Sequence, residues 1–187
     1  MLNDHTDQEL LKRASRGDES AFEALYDRRQ ASIFRFAYHM SGSRDIAEDV
    51  TQDTFVTLAR NPGAYSAGRG AVTAFLHGIA RNMVLRRLER QRELIALEED
   101  SGVESQDEDA SPLGGLLRSE TVESVRRAVL ALPEAYREAV VLCDLEELSY
   151  EDAAGAMGCP VGTVRSKLNR GRALLAQRLR SAKGCFA

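Results

Sequence analysis

Residues 161–187 carry seven cationic side chains and no carboxylate. Lysine and arginine neutralise phosphates, and arginine also forms bidentate hydrogen bonds with guanine, as asparagine does with adenine. An acid-free set of such donors therefore predicts a surface that binds duplex DNA, with some side chains on base edges and others on phosphates. The candidate residues are Arg165, Lys167, Asn169, Arg170 and Arg172.

The residues before this stretch have the spacing of a helix-turn-helix. Counting from Tyr150, Ala154 is the fifth residue, Gly158 the ninth and Val164 the fifteenth. A small residue is needed where the two helices touch, glycine suits a left-handed turn, and an apolar side chain fixes the crossing. Ser149, three residues before Asp152, predicts the cap of the first helix. The cationic residues would then lie on the second helix, which in such motifs enters the major groove.

Charge is distributed unevenly along a chain whose net charge is −4. Residues 81–92 contain five arginines against Glu89, whereas residues 93–123 contain ten acids against Arg118. The segment 98–115 has few large apolar side chains, so it cannot bury enough surface to offset its ordering entropy. It predicts a flexible acidic linker between two basic units.

Apolar residues recur at helical spacing on both sides of this linker, which predicts an all-α fold with two small helical domains. Thr6 and Glu9 form a capping-box pattern, and Ser43 is placed to cap a helix over 44–60. Three glycines and a proline in 61–70 predict a loop. The other predicted helices cover 19–40, 71–92, 133–145, 149–157 and 160–181.

Several kinds of site are excluded by the residues present. Cys143, Cys159 and Cys185 are too widely spaced for a metal or disulfide pattern, and the three histidines have no ligand partners at metal spacing. No nucleophile–base pair or phosphate-binding loop is recognisable, so we expect no enzyme activity, no cofactor and no metal. The N-terminus lacks a signal pattern and no apolar run could span a bilayer, so a cytoplasmic location is expected.

Five motifs follow one another along the chain: "LLKRASRGDESAFEALYDR", "AEDVTQDTFVTL", "AFLHGIARNMVLRRLER", "LPEAYREAVVL" and "SYEDAAGAMGCPVGTVRSKLNRGRALL". In this order they resemble the extracytoplasmic-function sigma factors, group-four relatives of the bacterial housekeeping sigma. The resemblance covers nearly the whole chain apart from the linker. The last motif, with Gly-Thr-Val-Arg-Ser-Lys, is the most specific.

The resemblance implies a transcription initiation factor that binds core RNA polymerase and directs it to promoter DNA. Residues 1–92 would form the sigma-2 domain, 93–117 the linker and 118–187 the sigma-4 domain. An anti-sigma factor is implied as a further partner. Matching positions place Arg165, Ser166, Lys167, Asn169 and Arg170 on the minus-35 element.

The first unit would bind the polymerase and the melted minus-10 strand. A flipped base needs a pocket with polar edges, and a single strand needs cations along its backbone. The minus-10 candidates are Tyr65, Arg69, Arg81, Asn82, Arg86 and Arg87. The polymerase-binding candidates, on the outer face of helix 44–60, are Glu48, Asp49, Gln52 and Asp53.

Phe75 stands where the family usually has tryptophan, and we expect it to pack in the core. A different hypothesis is a stand-alone helix-turn-helix regulator that works without polymerase. That hypothesis assigns no function to helix 44–60 or to the arginines of 81–92. Association with core polymerase distinguishes an initiation factor from a stand-alone regulator.

Overall fold

The computed structural model describes residues 5–66, 68, 70–100 and 118–183. The described residues form helices and contain no strand, which confirms the all-α prediction. The helices are α1 Asp7–Ala14, α2 Glu19–Ser41, α3 Arg44–Arg60, α4 Val72–Asp100, α5 Arg118–Leu130, α6 Glu134–Val140, α7 Tyr150–Met157 and α8 Val161–Lys183, with a 3-10 turn at Pro62–Ala64 and a π-helical turn at Val141–Leu145.

Local capping signals set the helix starts as predicted. The Thr6 side chain accepts from the Glu9 backbone while the Glu9 carboxylate accepts from Thr6, which completes the capping box. Ser43 caps α3 by accepting from the backbone of Ile46. Each cap pairs an N–H group that the first helical turn leaves without an intrahelical partner.

Two differences from the sequence prediction concern helix extent. The helix predicted over 71–92 continues to Asp100, into the segment predicted as linker. Residues 91–97 read Gln-Arg-Glu-Leu-Ile-Ala-Leu, which favours helix and contains no glycine or proline to end it. Helix α5 was not among the predicted helices. The rest of the predicted linker, 101–117, lies outside the described residues.

Helices α1–α4 form the first unit and α5–α8 the second, and the two units pack against each other. Their buried apolar side chains belong to one continuous cluster. Helix α4 lies against α7, so a Cβ atom on Gly78 would be 3.5 Å from the Ala156 carbonyl oxygen. This arrangement brings α4, which carries the five arginines of residues 81–92, against the helix-turn-helix of the second unit.

Candidate functional site

The turn between α7 and α8 has the geometry that its sequence predicts. The Ser149 side chain accepts from the Asp152 backbone at the start of α7, and Gly158 ends α7 in the left-handed region with φ 61°. Ala154 and Val164 are buried where the two helices meet. The turn therefore fixes α8 across α7 and leaves the outer face of α8 in solvent, as a helix-turn-helix requires.

The predicted minus-35 residues share this outer face. Arg165, Ser166, Asn169 and Arg170 are exposed, and Lys167 is half-buried. The Arg165 guanidinium lies 5.4 Å from the centre of the Tyr150 ring, a cation–π contact that orients it before any ligand binds. The face can present bidentate donors to base edges and cations to phosphates.

Arg172 differs from its neighbours because it has a carboxylate partner. Its guanidinium donates two hydrogen bonds to Asp144, at 2.6 and 3.0 Å. Asp144 lies in the π-helical turn after α6, so the pair ties α8 to that turn. Arg172 thus holds the helix in place in this structure while half of its side chain stays exposed.

The minus-10 candidates on α4 differ in whether their side chains are exposed or already engaged in an ion pair. Asn82 and Arg86 are exposed. Arg81 instead forms an ion pair with the buried carboxylate of Glu138 in the second unit. Arg87 reaches α3, where its guanidinium is 2.6 Å from a carboxylate oxygen of Asp53.

A cavity of about 330 Å³ lies beside these residues. The first unit contributes Tyr65 and Asn82 to its wall, and the second contributes Gly155–Gly158 from the helix-turn-helix. The Tyr65 hydroxyl donates to the Gly70 carbonyl at 3.0 Å, and its ring meets Phe75 edge to face. Phe75 packs against the core from a half-buried position. The remaining candidate, Arg69, lies outside the described residues.

The polymerase-binding candidates form an exposed acidic face on α3, as the spacing predicts. Glu48 and Gln52 line a groove of about 570 Å³ between α2 and α3. The α2 side of this groove carries Asp27 and Gln30, which are not among the predicted polymerase-binding residues. Asp27 and Gln30 are three residues apart, so helical periodicity predicts that they share a face of α2, but only the fold shows that this face lies against α3.

A buried polar cluster at the junction of the units was also missed. Glu146 has only 1 % of its side chain exposed; it accepts from Ser32 at 2.7 Å and from Arg35 at 2.9 Å. His77 lies next to it, with Nε2 3.3 Å from the Ser32 hydroxyl and Nδ1 2.8 Å from the Thr73 carbonyl oxygen. Burial lowers the pKa of His77, so its neutral form is favoured there.

In the described part of the chain, no three His, Cys, Asp or Glu side chains are grouped as metal ligands would be. Among the same residues, no helix combines the length and apolarity that crossing a membrane requires. The two exposed surfaces differ in their chemistry: the face of α8 presents cations and amides, and the face of α3 presents carboxylates.

Two family descriptions match separate parts of the chain. Sigma-70 region 2 matches residues 25–93, and Sigma-70, region 4 matches residues 123–175. The RNA polymerase sigma-H factor of Pseudomonas aeruginosa is 34 % identical over 180 residues, covering 92 % of this chain and 93 % of that protein. The ECF RNA polymerase sigma-E factor of Haemophilus influenzae is 34 % identical over 188 residues, covering 96 % and 98 %.

Solved structures of similar fold include a sigma factor in complex with an anti-sigma factor. RpoE of Bartonella quintana, crystallised with the anti-sigma factor NepR, superposes with a TM-score of 0.70 at 27 % identity, covering 85 % of this chain and 96 % of that one. CnrH in complex with the cytosolic domain of CnrY has a TM-score of 0.71 at 24 % identity, covering 94 % and 97 %. The second likeness concerns the fold alone.

Proposed function

The chain belongs to the extracytoplasmic-function sigma factors of the sigma-70 family, and from this premise we propose how its surfaces select a promoter. Helix α8 reads the minus-35 element, α4 and the loop before it hold the melted minus-10 strand, and α3 docks on core RNA polymerase. The protein has no catalysis of its own and acts in the cytoplasm, where the polymerase and chromosome are. An anti-sigma factor controls it.

The exposed, acid-free face of α8 carries this proposal. The whole chain has a net charge of −4, yet this face of the helix-turn-helix is cationic and free of carboxylates. Such a face binds the phosphates of duplex DNA. The test is transcription reconstituted with core polymerase on genomic fragments, followed by sequencing of the products. Products that begin at selected sites are expected, and their absence would count against the proposal. Failure of the chain to co-purify with core polymerase would favour a stand-alone regulator.

Replacement of the guanidinium groups on α8 tests the minus-35 assignment. Arg165→Ala and Arg170→Ala should each weaken binding to cognate minus-35 duplex by about 1–3 kcal/mol if the side chain contacts a base edge. Binding is measured by fluorescence anisotropy on cognate and scrambled duplexes. Arg178→Ala, an exposed arginine further along α8, is the control and should cost less. An equal loss on both duplexes would assign the replaced residue to phosphate instead.

Replacement of Asp49 and Gln52 tests the polymerase-binding face. Both are exposed. Asp49 lies 4.0 Å from the Arg87 guanidinium, whereas Asp53 binds that guanidinium at 2.6 Å, so replacing the pair disturbs the bridge between α3 and α4 less than replacing Asp53 would. The Asp49→Ala, Gln52→Ala double variant should bind core polymerase about tenfold more weakly, or about 1.4 kcal/mol, and should keep its helical content.

The matched control is Glu89→Ala with Gln91→Ala, which likewise removes one carboxylate and one carboxamide from exposed positions, here on α4. It should compete for core polymerase as the parent does. Parent-like competition by the Asp49 and Gln52 variant would show that α3 docks through other residues.

A further inference from the structure

Tyr150 begins the helix-turn-helix, but it is not among the residues assigned to the minus-35 element. It is the first residue of α7, directly after the Ser149 cap, and its half-buried side chain packs against the core. The guanidinium carbon of Arg165 lies over its ring, 5.4 Å from the ring centre. The two residues are 15 positions apart in the chain, so they meet only because the turn places α8 across α7.

Arg172 holds the same ring from a second direction. Asp144 accepts two hydrogen bonds from the Arg172 guanidinium, and the Tyr150 hydroxyl lies beside that guanidinium. Both groups favour the charged form, so Asp144 first and Tyr150 second raise the pKa of Arg172. Tyr150 is therefore placed by the helix start, by the core and by a cation that is itself fixed. Its ring offers Arg165 a surface of fixed position.

Contact with the ring leaves the hydrogen-bond donors of Arg165 free. Within the part of the chain that the structure describes, no group accepts a hydrogen bond from Arg165. A guanidinium is attracted to an aromatic face by its charge, while its five N–H donors lie along the edge of its own plane. Arg165 can therefore keep the ring contact while it donates two hydrogen bonds to a guanine edge. It is the fifth residue of α8, near the end from which recognition helices contact bases.

Arg170 provides a comparison on the same helix. It is exposed as Arg165 is, but no aromatic ring of the described residues forms a cation–π contact with it. An exposed arginine without such a contact samples many rotamers, and it loses this freedom when it binds a base. The Tyr150 ring reduces that loss for Arg165 only, so removal of the ring should affect one of the two arginines.

We propose that Tyr150 is a positioning residue for minus-35 recognition, which holds the Arg165 guanidinium in place to bind a base edge. This inference rests on the proposed function of α8 and adds a residue of α7 to it. Tyr150 acts through Arg165 and makes no base contact of its own. Loss of the ring should therefore weaken binding to the preferred duplex more than binding to other sequences.

Replacement of the ring tests the proposal on the whole chain without polymerase. The parent first selects its preferred sequence from a library of random duplexes, and fluorescence anisotropy then compares that duplex with a scrambled one. Tyr150→Leu should lower the ratio of the two affinities about two- to fivefold, the size of an exposed cation–π contact. Tyr150→Phe keeps the ring and loses only the hydroxyl, so it should keep the parent ratio.

A double-mutant cycle separates positioning from a general effect on the fold. In an Arg165→Ala background, Tyr150→Leu should leave the affinity ratio unchanged, because the side chain that it positions is absent. In an Arg170→Ala background, Tyr150→Leu should still lower the ratio about two- to fivefold. An equal effect in both backgrounds would overturn the proposal, since Tyr150→Leu would then disturb the whole recognition helix.

The remaining outcomes also decide the matter. Equal losses on the preferred and scrambled duplexes, by Tyr150→Leu and Tyr150→Phe alike, would assign the Tyr150 hydroxyl to a phosphate and overturn the proposal. A parent ratio retained by Tyr150→Leu would show that Arg165 needs no ring. A parent that selects no sequence from the library would count against the proposed function of α8, and the role of Tyr150 would fall with it.

Discussion

Arg137→Ala is expected to lower the free energy of unfolding by about 3 kcal/mol or more. The guanidinium of Arg137 donates to the Met40 carbonyl at 2.6 Å and to the Leu132 carbonyl at 3.0 Å, and it also donates to Leu130. Met40 lies in the last turn of α2 and Leu130 ends α5. Carbonyls at these positions have no intrahelical partner, so one side chain satisfies the ends of two helices.

The size of the effect follows from the charge and the number of acceptors. Hydrogen bonds to a charged group contribute about 1.5–3 kcal/mol each, and alanine would leave part-buried carbonyls without a donor. Lysine retains the charge but lacks the planar fork, so Arg137→Lys should recover only part of the loss. Urea denaturation followed by circular dichroism gives the free energies directly.

Arg127→Ala is the matched control, because it removes an exposed arginine from α5 in the same unit. It should change the free energy of unfolding by about 0.5 kcal/mol or less. A loss below about 1 kcal/mol for Arg137→Ala would mean that water replaces the guanidinium at these carbonyls without cost.

The features that the sequence predicted are those determined by neighbouring residues. The caps at Thr6, Ser43 and Ser149 and the left-handed turn at Gly158 each depend on residues within one helical turn. The exposed face of α3 follows from helical periodicity in the same way. For this reason the helix-turn-helix and the acidic face could be located before any fold was known.

The parts that could not be predicted depend on residues far apart in the chain. In the sequence, nothing distinguishes Arg81 from Asn82 and Arg86 as a hydrogen-bond donor. Only the fold shows that Arg81 contacts Glu138, which lies 57 residues later in the chain. Arg172 likewise meets Asp144 from a position 28 residues away. The extension of α4 was missed for a different reason: the density of acids near residue 100 indicated a linker, while the residues just before it favour helix.

Gly171→Val is expected to destabilise the second unit by about 3 kcal/mol, the upper part of the range for overpacking a close contact. A Cβ atom on Gly171 would lie 2.7 Å from the Val140 Cγ2 and 3.1 Å from the Tyr136 carbonyl oxygen. The first neighbour is a branched side chain with few rotamers and the second is backbone, so neither can move without shifting α6 or α8. The two helices cross this closely only because position 171 has no side chain.

Gly162→Val is the matched control, because Gly162 lies on the same helix and a Cβ atom there would have no neighbouring atom within 4 Å. There valine should be neutral or slightly stabilising, because glycine is the poorer helix former by about 0.3 kcal/mol. Urea denaturation of the two variants separates the packing effect from helix propensity. Because α8 carries the minus-35 residues, Gly171→Val should also weaken binding to minus-35 duplex, although Gly171 itself is buried and cannot touch DNA. If Gly171→Val proved as stable as Gly162→Val, α6 and α8 would have to lie further apart than the structure places them.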